Sequence, residues 1–485
     1  MLHLLWQIPL GLLVLFLLLF LIALCRTLLQ KRRVSDYTPP AQDEEAARPL
    51  AEKLSAMIRC ETVSDAADKS REKFYAFHRC LAELFPLVHA HLEKTEIDGN
   101  LLFYWKGERS DQPILLMSHQ DVVPAQGDWV HPPFSGEIED GKVYGRGAAD
   151  TKCSLMALFE AVEQLLASGY TSPPQDVYLA SSCTEEWAGD GAPKIVKELQ
   201  RRGVELFLVC DEGGAIITEP VGGIPGNFAM VGIFEKGKGD VLFTAHGQGG
   251  HASAPGKNTP VARVAAFVSA TERRSPFKKK LLPPVRAMFS RLAPYASFPL
   301  RLILSNLWLF RPLLLWLLPR VSAQGAAMLR TTIAFTTLSG SKAYNVLPTE
   351  ASVGANMRFI PHQGQAQSLA LIRKNAEKYG LTTAVLHANN YTEPVELSGQ
   401  GWQIFEEVVK KTFPGICVSP YVMTGATDAQ FYQPICKNCM RFAPVIYGPE
   451  QMQGMHGLNE CIEANCLPGA VRFYQNLIRA QAPQS

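Results

Sequence analysis

PILLMSHQDVVP, residues 113–124, decides how this chain folds. Four apolar residues, Ile114 to Met117, stop abruptly at Ser118, His119, Gln120 and Asp121. So short an apolar run, closed by polar residues, suits a buried strand of a mostly parallel sheet. Ligands of open α/β sheets sit beyond the carboxyl ends of the strands. His119 and Asp121, two apart on extended chain, project to one side. Such a pair offers a ring nitrogen to a metal and a carboxylate to orient the ring. Alone, it also serves as ordinary loop capping.

The pattern recurs. Val177 to Ser181 leads into Thr184, Glu185 and Glu186, and Leu206 to Cys210 leads into Asp211, Glu212, Gly213 and Gly214. Between them GRGAADTK (145–152) is a glycine-rich turn carrying Asp150 into a helix expected over about 154–167. Acids gathered at one sheet edge repel one another unless a positive charge sits among them. A divalent metal pair is the natural neutraliser.

At 485 residues the chain exceeds one ordinary domain, and two are expected. A net charge of +2, with no basic block evident in the body, excludes the field that nucleic acid requires. Eleven cysteines, an odd and scattered set, point to a reducing compartment or to no dependence on disulfides. Leu4 to Cys25 is apolar apart from Gln7, Pro9 and Gly11, and is long enough to span a bilayer. It is too long for an ordinary cleaved signal and lacks a small-residue cleavage site. Arg26, Lys31, Arg32 and Arg33 follow it. A single-pass anchor over 4–25 with the body on the cytoplasmic side is therefore expected.

Residues 26–45 read as a linker. The first catalytic part follows over 46–235, with helices near 46–57 and 71–84, a strand at 101–105, and a small hairpin turning at Asp140-Gly141. Strands at 237–245, 333–338 and 351–358, with helices at 261–271 and 365–379, give an α+β lid over 236–384. The chain then returns to the catalytic domain over 385–485. Residues 298–319, FPLRLILSNLWLFRPLLLWLLP, are an apolar insertion in the lid. Two arginines and internal prolines make a second span costly. A buried or amphipathic helical pair is one reading, and contact with a membrane surface or an acyl substrate is the other.

Eight motifs stand in one order: SHQDVVP, GRGAADTK, TEEWAGDGA, DEGG, HASAP, NVLP, GATDAQFY and MHGLNE. This series resembles the dizinc metallopeptidases that include aminoacylase, carboxypeptidase S and carboxypeptidase G. It is most similar to the branch of carboxypeptidase S and the N-acyl amino acid hydrolases. The resemblance spans roughly residues 46–480. It implies an α/β, mostly parallel-sheet dizinc exopeptidase domain with an inserted α+β lid. It puts one Zn²⁺ on His119, Asp150 and Asp211, and the other on Asp150, Glu186 and His456, with Co²⁺ or Mn²⁺ as substitutes. Asp121 would hold the His119 ring, and Glu185 would be the general acid/base. His251, Asn345, Arg358, Gly425 and Thr427 would meet substrate.

Two Zn²⁺, three carboxylates and one hydroxide sum to neutrality, and zinc brings the pKa of bound water from 15.7 to about 7. Glu185 must stay off the metal to move protons. Adjacent residues on extended chain point oppositely, which would separate Glu185 from Glu186. The implied substrate is an N-acyl amino acid or short peptide cut beside a free carboxylate, and a homodimer through the lid is possible. A deacetylase of soluble amino acids and a metal-free scaffold are the rival readings. The anchor argues against the first, and the complete ligand set against the second.

Overall fold

The computed structural model describes residues 2–480. Helix α1 (Leu2–Leu29) comes first, and its stretch Leu10–Leu29, at mean hydropathy 2.9, is long and apolar enough to cross a bilayer. The expected linker is not a free tether. Ser35 and Tyr37 are buried. The Asn227 N–H donates to the Ser35 carbonyl at 2.8 Å, and the Ser35 hydroxyl accepts the Cys417 N–H at 2.8 Å. A side chain at Gly226 would collide with that carbonyl. The chain leaving α1 is thus stitched across the edge of the main sheet before α2 (Gln42–Ile58) begins.

Six strands follow: β1 (Glu93–Ile97), β2 (Asn100–Trp105), β3 (Arg109–Met117), β4 (Gln175–Ser181), β5 (Leu208–Thr218) and β6 (Asn227–Glu235). Helix α3 (Lys152–Ala167) lies between β3 and β4. The second domain contributes β7 (Gly237–His246), α4 (Pro260–Arg273), β8 (Thr332–Ser339), β9 (Glu350–Phe359), α9 (Gln365–Glu377) and β10 (Leu381–Ala388). Between α4 and β8 run α5 (Pro283–Leu292), α6 (Phe298–Ser305), α7 (Leu307–Val321) and α8 (Ala323–Leu329). The chain ends on β11 (Cys417–Met423), β12 (Cys439–Tyr447) and α10 (Leu467–Arg479).

The main sheet runs β1-β2-β4-β3-β5-β12-β6-β11. Its centre, β4-β3-β5-β12, is parallel as expected. The sheet as a whole is mixed, because β1-β2, β2-β4 and β12-β6 pair antiparallel. The reason is local: β1 and β2 are joined by the tight turn Asp98-Gly99, both at positive φ, and so short a connection permits only antiparallel pairing. Helices α2, α3 and α10 share one apolar core against the sheet. The second domain is a sheet of order β8-β9-β7-β10, with α4 and α9 closing a separate core around Phe243, Phe267 and Met357. Strand β10 pairs with β7 through Ala388, so this domain reaches beyond the expected limit of 384.

The apolar insertion departs most from expectation. It is a helical pair, bent by 111° at Asn306, but it does not belong to the lid core. Leu282, Val285, Phe289, Leu304, Leu307 and Leu329 join the core of the first domain. An apolar run must bury a face, but its sequence does not say against which partner.

Candidate metal centre and active site

His119 follows a strand, Asp150 ends a glycine turn, Glu186 lies on the turn after a strand, Asp211 lies within β5, and His456 follows a short helix, Pro449–Gly454. His119 follows β3 and is fully buried. Its Nδ1 lies 2.9 Å from the backbone carbonyl of Asp121 and 3.5 Å from that residue's carboxylate. The Asp121 main chain orients the ring, and its carboxylate stands at the longer distance on the same nitrogen. The Asp121 carboxylate also accepts from the Ser64 hydroxyl and from the N–H groups of Glu185 and Glu186, at 3.2 and 3.1 Å. It thereby fixes the turn that carries both glutamates. That turn, Glu185–Trp187, is a single 3₁₀ turn and not extended chain. The two side chains diverge because successive residues of a 3₁₀ turn are about 120° apart.

Asp150 stands at the centre. One carboxylate oxygen lies 3.1 Å from His119 Nε2, and the other lies 2.8 Å from His456 Nε2. His456 Nε2 is also 3.1 Å from Glu186. Candidate ligand atoms of His119, Asp150 and Glu186 all fall within 4.8 Å of one another. Two imidazoles on opposite oxygens of one carboxylate is the arrangement a bridging ligand requires.

Asp211 does not join this chain of contacts. Its carboxylate accepts the N–H of Glu212 and of Ala429, both at 2.8 Å. Glu212, the next residue, is the one on which the charges of the cluster act. Burial raises its carboxyl well above the usual range, the charges of Asp150, Asp211 and Glu186 raise it further, and His119 opposes them. Sequence reasoning missed Glu212 because neighbours on a strand point to opposite faces, and DEGG alone does not say which face is inward.

Burial likewise lifts the Glu185 carboxyl well above the usual range; His119 opposes this, while Asp428, Glu212 and Glu186 add to it. Asp428 is buried against Ser182 and pushed up to about 8, first by burial and then by Asp211. Burial would also raise Asp150, but hydrogen bonds from His119 and His456 hold it low. Asp121, Asp150, Glu185, Glu186, Glu212 and Asp428 thus crowd around two imidazoles. So many buried carboxylates with so little compensating charge fit a site made for divalent cations.

A second pair shapes the site from behind. Arg146 and Glu460 are buried and meet at 2.6 Å. Glu460 also accepts the N–H groups of Gly147, Ala149 and Asp150 at 3.1, 2.8 and 2.9 Å, while Arg146 donates to the Gly457 carbonyl at 2.9 Å. The glycine turn bearing Asp150 and the loop bearing His456 are held together by this pair. Neither residue was singled out from the sequence.

The expected substrate contacts are dispersed. His251 and Asn345 lie on an exposed two-strand ribbon of the second domain, where His251 pairs with Val346 and its Nδ1 lies 2.7 Å from the Ser253 hydroxyl. Arg358, on β9, donates from its Nε to the Asn356 side-chain oxygen at 3.1 Å. Thr427 is buried, and its N–H and hydroxyl both donate to Glu235, at 3.1 and 2.7 Å. Those donors are spent on Glu235, itself paired with buried Arg441 at 2.6 Å, which corrects the expectation that Thr427 meets substrate. Gly425 lies in the same loop, four residues before Ala429, whose N–H holds Asp211. A cleft of about 900 Å³ opens beside the glutamate turn, between Arg71 and Trp187 on one domain and Lys238, Asp240 and Asn389 on the other.

Strand ends delivering imidazoles and acids to one edge, faced by an inserted α+β domain, define a metal-dependent hydrolase. The chain belongs to peptidase family M20/M25/M40, whose family model matches residues 115–480. It is 33% identical over 444 residues to the probable carboxypeptidase S-like 2 of Dictyostelium discoideum, covering 89% of this chain and 84% of that one. It is 32% identical over 450 residues to the human N-fatty-acyl-amino acid synthase/hydrolase PM20D1, covering 91% and 89%. Among solved structures, the M20 metallo-carboxypeptidase Sso-CP2 of Sulfolobus solfataricus shares the fold at a TM-score of 0.65 and 16% identity, covering 89% of this chain and 98% of that one.

Proposed function

We propose that this protein is a membrane-anchored dizinc hydrolase that cleaves an amide bond beside a free carboxylate, in N-acyl amino acids or short peptides. The observation that carries this reading is the Asp150 carboxylate set between His119 and His456, with the raised acid Glu185 alongside. The curated relatives bear names of both activities, carboxypeptidase S-like and N-fatty-acyl-amino acid hydrolase.

His119, Asp150 and Glu212 would hold one ion, and Asp150, Glu186 and His456 the other; Glu212 is preferred to Asp211 because Asp150, His119 and Glu186 act on its carboxyl, whereas the Asp211 carboxylate is held by the Glu212 and Ala429 N–H groups. When bound, such ions supply Lewis-acid activation of water and of the substrate carbonyl. Glu185 takes the water proton and returns it to the leaving amine, a role suited to a carboxyl whose burial raises its pKa. Asp121 keeps Glu185 in place through the backbone of its turn. Exposed His251 reaches the reaction only by closure of the second domain or from a second subunit. Helix α1 serves as the anchor, and its basic flank, Arg26 to Arg33, supports a cytoplasmic body.

The test is Glu185→Gln, assayed against a panel of N-acyl amino acids and dipeptides. Metal content should be unchanged and kcat should fall by about 10²–10⁴. Undiminished turnover would remove Glu185 from this role.

A further inference from the structure

We propose that α6 and α7 form a re-entrant hairpin embedded in the leaflet that holds the C-terminal end of α1, with a basic collar that meets anionic phospholipid. This rests on the reading of α1 as an anchor.

The hairpin is docked on α1. Buried Asn306, at the bend, donates its side-chain amide to the Ala23 carbonyl at 3.2 Å and to the Thr27 hydroxyl at 2.9 Å. The Ser305 hydroxyl donates to Gln30 at 2.6 Å. Phe310 meets Phe20 edge-on, with ring centroids 6.4 Å apart. These contacts fix a depth. Phe20 precedes the end of α1 at Leu29 by nine residues, roughly 14 Å at 1.5 Å per residue, nearly half of a hydrocarbon core of about 30 Å. If α1 spans, Phe310 is held at that level, while Ser305, against Gln30, and the cavity beside it lie at the boundary, to which the long Arg311 side chain reaches back.

The surface of the hairpin fits this place. Trp308, Leu313, Trp316, Leu317 and Val321 are exposed, as is most of the described apolar length of α1. In water such a continuous apolar surface would be a liability. Trp308 and Trp316 are the side chains that favour a lipid–water boundary, and Arg320 stacks over Trp316 at 4.4 Å. The limbs, of 8 and 15 residues and bent by 111°, are too short to cross singly. Irregular backbone at the bend is tolerable in a membrane where it is covered by protein, and here α1 covers it.

Charge supplies the partner's chemistry. Between Glu272 and Glu350 the chain carries twelve lysines and arginines and no acid, although its net charge is only +2. The body therefore does hold a basic block, one that sequence reading overlooked because acidic stretches elsewhere balance it. Arg286 and Arg311 bring two guanidinium groups to one cavity of about 310 Å³ beside Trp308. That cavity and the Lys278–Lys280 run suit lipid phosphates. The hairpin also adjoins the catalytic domain, because Gln324 of α8 donates to Tyr421 and Thr424, just before the loop that carries Asp428.

The experiment uses the full chain in nanodiscs containing lipids brominated on their acyl chains. In a Trp6→Phe background, six tryptophans remain. Bromolipid should quench up to about a third of their emission, and that fraction should vanish in Trp308→Phe/Trp316→Phe. Equal quenching with and without the two tryptophans would overturn the proposal and leave the hairpin to water or to a second copy of the chain. Quenching of Trp6 in the unaltered chain reports the anchor separately: its presence without hairpin quenching refutes the hairpin alone, and its absence refutes both. Brominated phosphatidylglycerol should quench more than brominated phosphatidylcholine, and Arg286→Gln/Arg311→Gln should erase the difference. Equal quenching by both lipids in the unaltered chain would overturn the anionic preference.

Discussion

The Glu460 carboxylate accepts three consecutive-loop N–H groups and an arginine, and so sets the position of Asp150 and His456 without being a ligand to anything. Its counterpart on the other side is Asp121, which holds the Glu185–Glu186 turn. Buried charge of this kind is costly unless its oxygens are engaged, and at Glu460 both accept hydrogen bonds. At this scale the disputed ligand is decidable. Glu212→Gln should lose one of two bound ions, whereas Asp211→Asn should retain both; elemental analysis of the two variants reads the difference, and the reverse pattern would restore Asp211. His456 was singled out as a ligand only through the resemblance, whereas His119, Asp150 and Glu186 were legible because each stands near where an apolar run or a glycine turn stops. Glu212 was not, since its inward face depends on the register of β5 within the sheet. Glu460 and Arg146 were not, since a charge that acts by holding backbone leaves no pattern of its own.

Among the elements, the hydrophobic periodicities of α3, β7, β9 and α9 gave their places to within a few residues, because each keeps an apolar face at its own period even though its partners lie far away in sequence. The segment between α1 and α2 gave no such signal. Its order comes from partners nearly two hundred or more residues away, Asn227 and Cys417, and from the space left at Gly226. Gly226 has φ of 112°, a conformation that resists any side chain, and stands against the Ser35 carbonyl. Gly226→Ala should cost about 1–3 kcal/mol through backbone strain, before counting the displacement of Ser35. Denaturant unfolding of the full chain in detergent measures it, and an unchanged midpoint would show that this clamp contributes little. The insertion was legible as helical but not as to partner. Its buried apolar residues, Leu304, Leu307 and Leu314, join the first domain's core, a choice made by tertiary packing that composition does not encode.

For the whole molecule, the cluster of acids makes stability depend on bound cations. Without ions, burial raises Asp211 to about 6 and Asp428 to about 8, and hydrogen bonds to Asp150 and Glu186 raise His456 to about 10. An acid with a raised folded pKa holds its proton preferentially in the folded state, so stability falls as pH climbs from about 4 towards that pKa. The His456 contribution has the same sign: it is complete below about 6.5 and is lost as pH rises towards 10. Stability thus falls across pH 5 to 8, through Asp211 and Asp428 up to about 6 and through Asp428 and then His456 above it. Chelated protein should therefore melt progressively lower over that window, while metal-loaded protein should not, because bound ions compensate the ionised acids. Parallel slopes in the two forms would mean that the acids are balanced by other means.

The most direct measurement is the metal content of purified, active full-length protein, with turnover followed through chelation and re-addition. About two divalent transition-type ions per chain are expected, with activity lost on their removal and regained on their return, and none retained by a folded Asp150→Ala variant. Protein that turns over N-acyl amino acids or dipeptides without such ions, or that chelators leave fully active, would contradict it.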